Sequence, residues 1–216
     1  MNNNYYNFFD RQPIEVYENS HQLRLDYFVK DFKLKELNNL RIGDFGCGYG
    51  MLFNRLPKNQ NNTFYGWDGY DNKAASEVCE YFVTNLDSKF AEIFLEKNAP
   101  IDIAFCLETI EHVTNPYNLL FEIKQILKPG RILYITIPHS SITHNTIYPG
   151  LIYPPENFDT FLRQMAFEIM DRRIHQAAFV QVVYTLRNLG WDSSKMLWPK
   201  SEEKFKNIPP HIFVNI

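Results

Sequence analysis

Residues Arg41–Gly50 read RIGDFGCGYG, a short apolar run that breaks into three alternate glycines. A glycine carries no Cβ, so such a stretch can turn tightly and let a ligand approach the backbone. Set between a strand and a helix, it marks the first turn of an α/β nucleotide-binding unit. Its spacing narrows the ligand. A dinucleotide loop requires G-x-G-x-x-G, but Met51 occupies the last glycine position. No G-K-[ST] follows, so the loop of a nucleoside triphosphatase is absent. A G-x-G-x-G turn headed by Asp44 suits a nucleoside without a pyrophosphate. Asp68, twenty residues beyond Gly48, closes the next apolar run, where a carboxylate can accept both hydroxyls of a ribose. Taken singly, the glycines also fit an ordinary tight turn, and Asp68 an ordinary turn aspartate.

Working outward, SHQLRLDYFVKDFKL places Leu23, Tyr27, Phe28 and Phe32 at helical spacing, predicting an amphipathic helix before the glycine turn. Beyond the turn, TFYGWDGY, YFVTNLD, IDIAFCL and RILYITIP are predicted strands. Helices are expected over NKAASEVCEY, SKFAEIFLEK and PYNLLFEIKQILK, the last with Pro116 in its first turn and Gly130 at its end. Strand and helix alternate over 40–138, which predicts a parallel sheet with helices on both faces. The pattern then changes. A long loop is expected over 139–157; the stretch after it reads either as mostly helix or, the favoured reading, as a helix near 158–166 and a closing antiparallel pair near 167–175 and 179–186. The expected architecture is a Rossmann-like, mostly parallel seven-stranded sheet in a single domain over 1–216. Residues 1–38 form the N-terminal cap, 39–138 the cofactor-binding core, and 139–216 the acceptor-side loop, closing strands and tail.

Bulk properties exclude several classes. The chain has 216 residues and a net charge of −3, without the basic excess that drives phosphate-backbone binding, so long nucleic acid is disfavoured as a partner. Its 3 cysteines form neither C-x-x-C nor a zinc pattern, which points to a reducing, cytoplasmic compartment. No leader pattern opens the sequence, and no apolar run reaches the length of a membrane span. Aromatics reach 16%, with 18 Phe and 13 Tyr, enough for a filled core or an aromatic pocket.

The second informative stretch is Cys106–Pro116, CLETIEHVTNP, directly after the apolar IDIAF. On a helix, Glu108, Glu111 and His112 stand at i, i+3 and i+4 and share one face. Three roles compete. The carboxylates could complement the N-terminus of a short helix. One of the three residues could be a general base. All three could face a divalent cation such as Mg²⁺.

RIGDFGCGYG, FYGWDGYD and IDIAFCLETIEHV…LKPGRILYITIP together resemble, in order and spacing over about residues 20–138, the successive motifs of class I S-adenosylmethionine-dependent methyltransferases. CLETIEHVTNP is similar to the segment of ubiquinone-biosynthesis O-methyltransferases and small-RNA 2′-O-methyltransferases, and HQLRLDYF resembles the first family's arginine-bearing helix. The resemblance implies that Asp44, Gly46, Cys47 and Gly48 hold the methionine part of S-adenosylmethionine. It puts Asp68 on the ribose, Gly69 and Tyr70 near the adenine, and Cys106 and Leu107 beneath the sulfonium. Arg24 would reach the cofactor carboxylate. Asn85 and Leu86 fall where the family has an acidic-then-apolar pair beside the adenine; Asn85 departs from it, and Asp87 is the candidate substitute. Both similar families are associated with a metal, which would make Glu108, Glu111 and His112 ligands, with His139 or His144 from the loop after the fifth strand as the fourth.

The expected activity is methyl transfer to an oxygen of a small-molecule acceptor: a quinol, a sugar or a phosphorylated precursor. Tyr5, Tyr6, Phe8, Phe9, Tyr148, Tyr153 and Phe158 are candidates for the acceptor pocket, or plain core. The alternatives are metal-independent N- or C-methylation and a catalytically silent cofactor-binding partner subunit. A cation would lower the acceptor hydroxyl's pKa and orient it.

Overall fold

Seven strands line up in the order β3-β2-β1-β4-β5-β7-β6 in the computed structural model, which describes residues 14–58, 60–139, 147, 149–152, 154–176 and 180–190. They are β1 (Arg41–Phe45), β2 (Thr63–Asp68), β3 (Glu80–Val83), β4 (Ile101–Leu107), β5 (Leu127–Pro138), β6 (Phe167–Gln176) and β7 (Val180–Asn188). The first five are parallel; β7 runs antiparallel to both β5 and β6. The fold is thus the expected one, down to the closing hairpin.

Period-2 alternation along the central strands feeds two cores. On β1 and β4, Ile42 and Phe105 belong to one cluster, Phe45, Ala104 and Cys106 to the other. Trp67 stacks on Phe45 with ring centroids 4.5 Å apart, an aromatic pair of the kind worth about 1 kcal/mol beyond its burial.

The helices are α1 (Ile14–Asp31), α2 (Lys73–Ser76), α3 (Ala91–Leu95), α4 (Pro116–Ile126), α5 (Pro149–Ile152) and α6 (Pro155–Gln164). The α1 helix is where the sequence predicts one, but turned about its axis. Its buried face is Arg24, Leu25, Phe28 and Val29, while Leu23 and Tyr27 are 58% and 49% exposed. Phe28 meets Phe105 and Tyr134 edge to face, seating α1 on β4 and β5. Asn115 caps α4 by accepting from the Asn118 N–H at 3.0 Å, with Pro116 in the first turn as expected. Glu122 of α4 caps a second helix at a distance: its Oε2 accepts the Phe90 and Ala91 N–H groups at 2.7 Å each, at the start of α3.

Two expectations fail locally. No α-helix follows the glycine turn; the chain makes turns and one 3₁₀ segment, Phe53–Arg55. Gly50 at φ +70 sits where regular helix would begin, and Pro57 bars its continuation. Gly130 does not end α4 either. The helix stops at Ile126, because Leu127 is already extended (φ −80, ψ 123) and joins β5. Pro129 keeps Lys128 out of the helical region, and Gly130 takes φ +79 inside the strand segment. Asn59, the tail beyond Gly190 and about half of the expected 139–157 loop lie outside the described residues, although α5 falls within that loop.

Candidate active site

In parallel open sheets, ligands bind beyond the carboxyl ends of the strands where the strand order reverses. Here that point lies between β1 and β4, since the chain winds from β1 outward to β3 and returns to β4 on the other side. Asp44 pairs in register with Phe105 on one side and Gly66 on the other, so β1, β2 and β4 end on one rim.

The two loops at that crevice interlock. The Gly46 N–H and the Cys47 N–H both donate to the Trp67 carbonyl, at 2.8 and 3.1 Å, folding the turn back over β2. Gly46 takes φ +85, and a Cβ there would lie 2.2 Å from Thr109 Oγ1. Only glycine lets the turn after β1 pack against the segment after β4.

Asp68, at the end of β2, is held from both sides. Its Oδ2 accepts the Gly48 N–H at 2.8 Å and its Oδ1 the Gly69 N–H at 2.7 Å. Each oxygen keeps a further lone pair, the two acceptors that a pair of vicinal hydroxyls requires. Burial raises the Asp68 carboxyl's pKa, and the two backbone hydrogen bonds oppose the rise. Tyr70 is tied down through its carbonyl, which accepts the Tyr81 hydroxyl.

Asp44 is 4% exposed, and its Oδ1 has no hydrogen-bond donor among the described residues. Burial pushes its pKa up to about 8; the Asp68 charge adds to the rise and the Arg24 guanidinium opposes it. A buried carboxyl of this kind calls for a cation. An α-ammonium fits it, a ribose fits Asp68, and the bare turn at Gly46 and Gly48 leaves room for backbone approach. The chain therefore suits S-adenosylmethionine on its own geometry. Cys106 is fully buried at the end of β4, where burial, then Glu111, Asp44 and Glu108, push its thiol pKa well up.

The CLETIEH segment departs from the single helical face expected of it. Glu108 stands in the left-handed region at φ +52, a conformation costing a non-glycine residue about 1–3 kcal/mol. Its N–H donates to Thr136 Oγ1 at 2.9 Å, fixing it to β5. Only Ile110–His112 form a helical turn, and it is 3₁₀. Glu108 and the Glu111–His112 pair take different neighbours. Glu108 meets Arg24 of α1 at 4.0 Å, both side chains nearly closed to solvent. Glu111, fully buried, stands 3.8 Å from His112 Nε2, and His112 is 14% exposed.

His139 follows β5 and lines a cleft of about 400 Å³ with Pro155, Glu156, Arg172 and Val182. No three His, Cys, Asp or Glu side chains among the described residues gather into a set that could hold a metal ion. The expected cation shell is thus not assembled by Glu108, Glu111, His112 and His139 among the described residues, and Glu108 faces Arg24 instead. His144 lies outside the described residues, as do Tyr5, Tyr6, Phe8, Phe9, Tyr148 and Tyr153. Phe158 is core, packed against Phe161 and Tyr184.

Asn85 and Leu86, expected beside the adenine, lie in the turn after β3. Asn85 Oδ1 accepts the Asp87 N–H at 3.0 Å in a local turn, and Leu86 is buried. Asp87 Oδ1 accepts the Asn115 N–H at 2.7 Å, tying this loop to the start of α4. Sequence reasoning missed the Arg24–Glu108 pair and Thr109. The only signal available for Thr109 was its place directly after Glu108.

A family model described as Methyltransferase domain matches residues 19–201, most of the chain. The chain belongs to the class I S-adenosylmethionine-dependent methyltransferase family. The ubiquinone biosynthesis O-methyltransferase of Rickettsia typhi is 28% identical over 121 residues, 53% of this chain and 48% of that protein. The enzyme of the same name from Maricaulis maris is 30% identical over 104 residues, 46% and 41% of the two chains. This methyltransferase-family chain thus spans about half the length of the curated relatives it matches. Among solved structures, a SAM-dependent methyltransferase from Aquifex aeolicus matches with a TM-score of 0.59 at 17% identity, covering 79% of this chain and 93% of that one. The 1,6-didemethyltoxoflavin-N1-methyltransferase of Burkholderia thailandensis, solved with S-adenosylhomocysteine, matches with a TM-score of 0.60 at 15% identity, covering 83% of each. These likenesses establish the shared fold. No helix among the described residues is long and apolar enough to cross a membrane.

Proposed function

We propose that this chain transfers a methyl group from S-adenosylmethionine to a hydroxyl of a small-molecule acceptor. The observation that carries the cofactor half is the pairing of a buried Asp44 carboxyl, whose Oδ1 meets no donor among the described residues, with an Asp68 carboxylate pinned by two backbone N–H groups across one glycine turn. Oxygen as the acceptor atom is supported by the likeness to ubiquinone-biosynthesis O-methyltransferases, all of it at 30% identity or below in the relatives named.

S-adenosylmethionine supplies a methyl carbon already activated by a positive sulfur, so the protein's tasks are alignment and removal of one proton. Asp44 would hold the ammonium, Arg24 the carboxylate and Asp68 the ribose hydroxyls. Gly46 and Gly48 would give the methionine chain room beside the backbone, with Cys106 and Leu107 as the floor. His112 is the proton acceptor of choice, because it reaches solvent while Glu111 behind it steadies the ring and stabilises the charge it gains. Glu108 faces Arg24 and takes no part in removing the proton.

Isotope-labelled S-adenosylmethionine incubated with a panel of phenols, quinols and sugars tests the activity. His112→Asn should lower kcat by about 10²–10⁴, the usual worth of a general base. Full activity of that variant, or transfer only to amines, would overturn the assignment. The silent-subunit alternative predicts tight binding of S-adenosylhomocysteine with no labelled product.

A further inference from the structure

Two thiols meet at the back of the cofactor turn. Cys47 sits within that turn, between Gly46 and Gly48. Cys79 follows α2, and its Sγ donates to the Ala75 carbonyl at 3.2 Å. Both sulfurs converge on Gly66 in the middle of β2: a Cβ at that glycine would lie 2.7 Å from Cys47 Sγ and 2.8 Å from Cys79 Sγ. The missing side chain is the space the sulfurs share. The third cysteine, Cys106, belongs to the other core cluster, so the sheet leaves a single possible partnership. All three are free thiols in this structure.

We propose that Cys47 and Cys79 are a redox pair, and that their oxidation to a disulfide deforms the glycine turn and weakens cofactor binding. The second half rests on the cofactor reading above. Cys79 is half-buried and Cys47 buried, so a hydroperoxide meets Cys79 first. The Cys79 sulfur takes the terminal oxygen, the O–O bond breaks, and water or an alcohol departs, leaving a sulfenic acid. Cys47 then attacks that sulfur. The S–O bond breaks, the S–S bond forms, and the hydroxide leaves as water with the Cys47 proton. Two electrons pass from the sulfurs to the peroxide.

The division of labour suits both residues. The hydrogen bond to Cys79, together with burial and the Asp44 and Asp68 charges, holds the Cys47 thiol pKa well above its usual value. That makes Cys47 a poor first nucleophile, and its place beside Cys79 at Gly66 gives it the resolving role. A disulfide of about 2.05 Å draws the sulfurs closer than their contact as thiols. Cys47 is flanked by glycines at φ +85 and +53, so the turn yields, taking the Gly48 N–H from Asp68. Oxidation thus reads out as lost grip on the ribose side of the site. In a reducing compartment such a bond is transient, as a sensor requires.

The experiment treats the full chain with hydrogen peroxide, quenches with catalase, and maps disulfides by peptide mass spectrometry. Calorimetric titration of S-adenosylhomocysteine follows, before oxidation, after it, and after dithiothreitol. The expected result is a 47–79 link with loss of two hydrogens, at least tenfold weaker binding, and recovery on reduction. Cys79→Ser should bind as the reduced chain does and keep its affinity through peroxide treatment. Absence of the link, or Cys79 proceeding to the sulfinic acid unlinked, overturns the pair. A link with unchanged affinity overturns the deformation. If the reduced chain fails to bind the ligand at all, the cofactor reading falls, and the mapped link alone decides the pair.

Discussion

Protonation of Asp44 should set the affinity of the cofactor site. In the ligand-free chain burial holds this carboxyl up to about 8, so at neutral pH it is mostly protonated and cannot hold an ammonium as an ion pair. Binding the ammonium must drive the proton off. With an ordinary value near 3.8 in the complex, the apparent association constant follows the fraction of Asp44 already ionised. That fraction is about 1% at pH 6 and about a quarter at pH 7.5, so affinity should rise roughly twentyfold over the interval, close to 2 kcal/mol. The sign is fixed by the direction of the shift: affinity is lost as pH falls below 8. The ligand's α-amino group stays largely protonated across this window and leaves the slope to the carboxyl. Calorimetry of S-adenosylhomocysteine between pH 6 and 7.5, in buffers of differing ionisation enthalpy, should record release of about 0.9 proton per site at pH 7. Asp44→Asn should bind weakly at every pH and release none. A dissociation constant that stays flat from pH 6 to 7.5, or no proton release, would refute the placement of the ammonium on Asp44.

Gly46→Ala forces a Cβ to within 2.2 Å of Thr109 Oγ1 at a positive φ, and should cost about 1–3 kcal/mol, a fall in Tm of several degrees by calorimetry, along with cofactor binding. Arg24→Met leaves the Glu108 carboxylate facing an apolar side chain; denaturant titration should show a loss of about 1–3 kcal/mol, part of it regained in Arg24→Met/Glu108→Gln. An additive pair of effects would show that the two charges do not interact. Methyl transfer in excess chelator should match that in Mg²⁺, because no described set of ligands is assembled for the ion; a collapse of activity on chelation would restore the metal role of Glu108, Glu111 and His112.

The strands were legible because their apolar runs are bounded by glycine, proline and asparagine, and each falls within a few residues of its predicted place. The hairpin of β6 and β7 was legible only as one of two readings, the other being mostly helix. What the sequence hid were matters of rotation. Leu23 and Tyr27 of α1 look like core by spacing, yet the helix turns Arg24 inward, because Leu25, Phe28 and Val29 bury more completely against Phe105 and Tyr134. The Glu108–His112 stretch keeps helical spacing in sequence, but Glu108 is drawn into the left-handed region by its hydrogen bond to Thr136, a contact 28 residues away. Periodicity cannot foresee a bond of that range. Asp87 shows the same limit: its Oδ1 accepts the Asn115 N–H, 28 residues on, whereas Asn85 Oδ1 accepts the Asp87 N–H within its own turn.

The strand order also dictates when the site comes into being. The β6–β7 ladder joins residues close in the chain, whereas β1 must find β4 across some sixty residues, so its pairing carries the larger loop-closure cost. Asp44, Gly46 and Thr109 all lie on that late seam. A ligand there meets its full complement of contacts only after the sheet has closed, and can do little to hasten folding. Its weight falls on the reverse process: a bound chain should open more slowly while refolding at nearly the rate of the bare one.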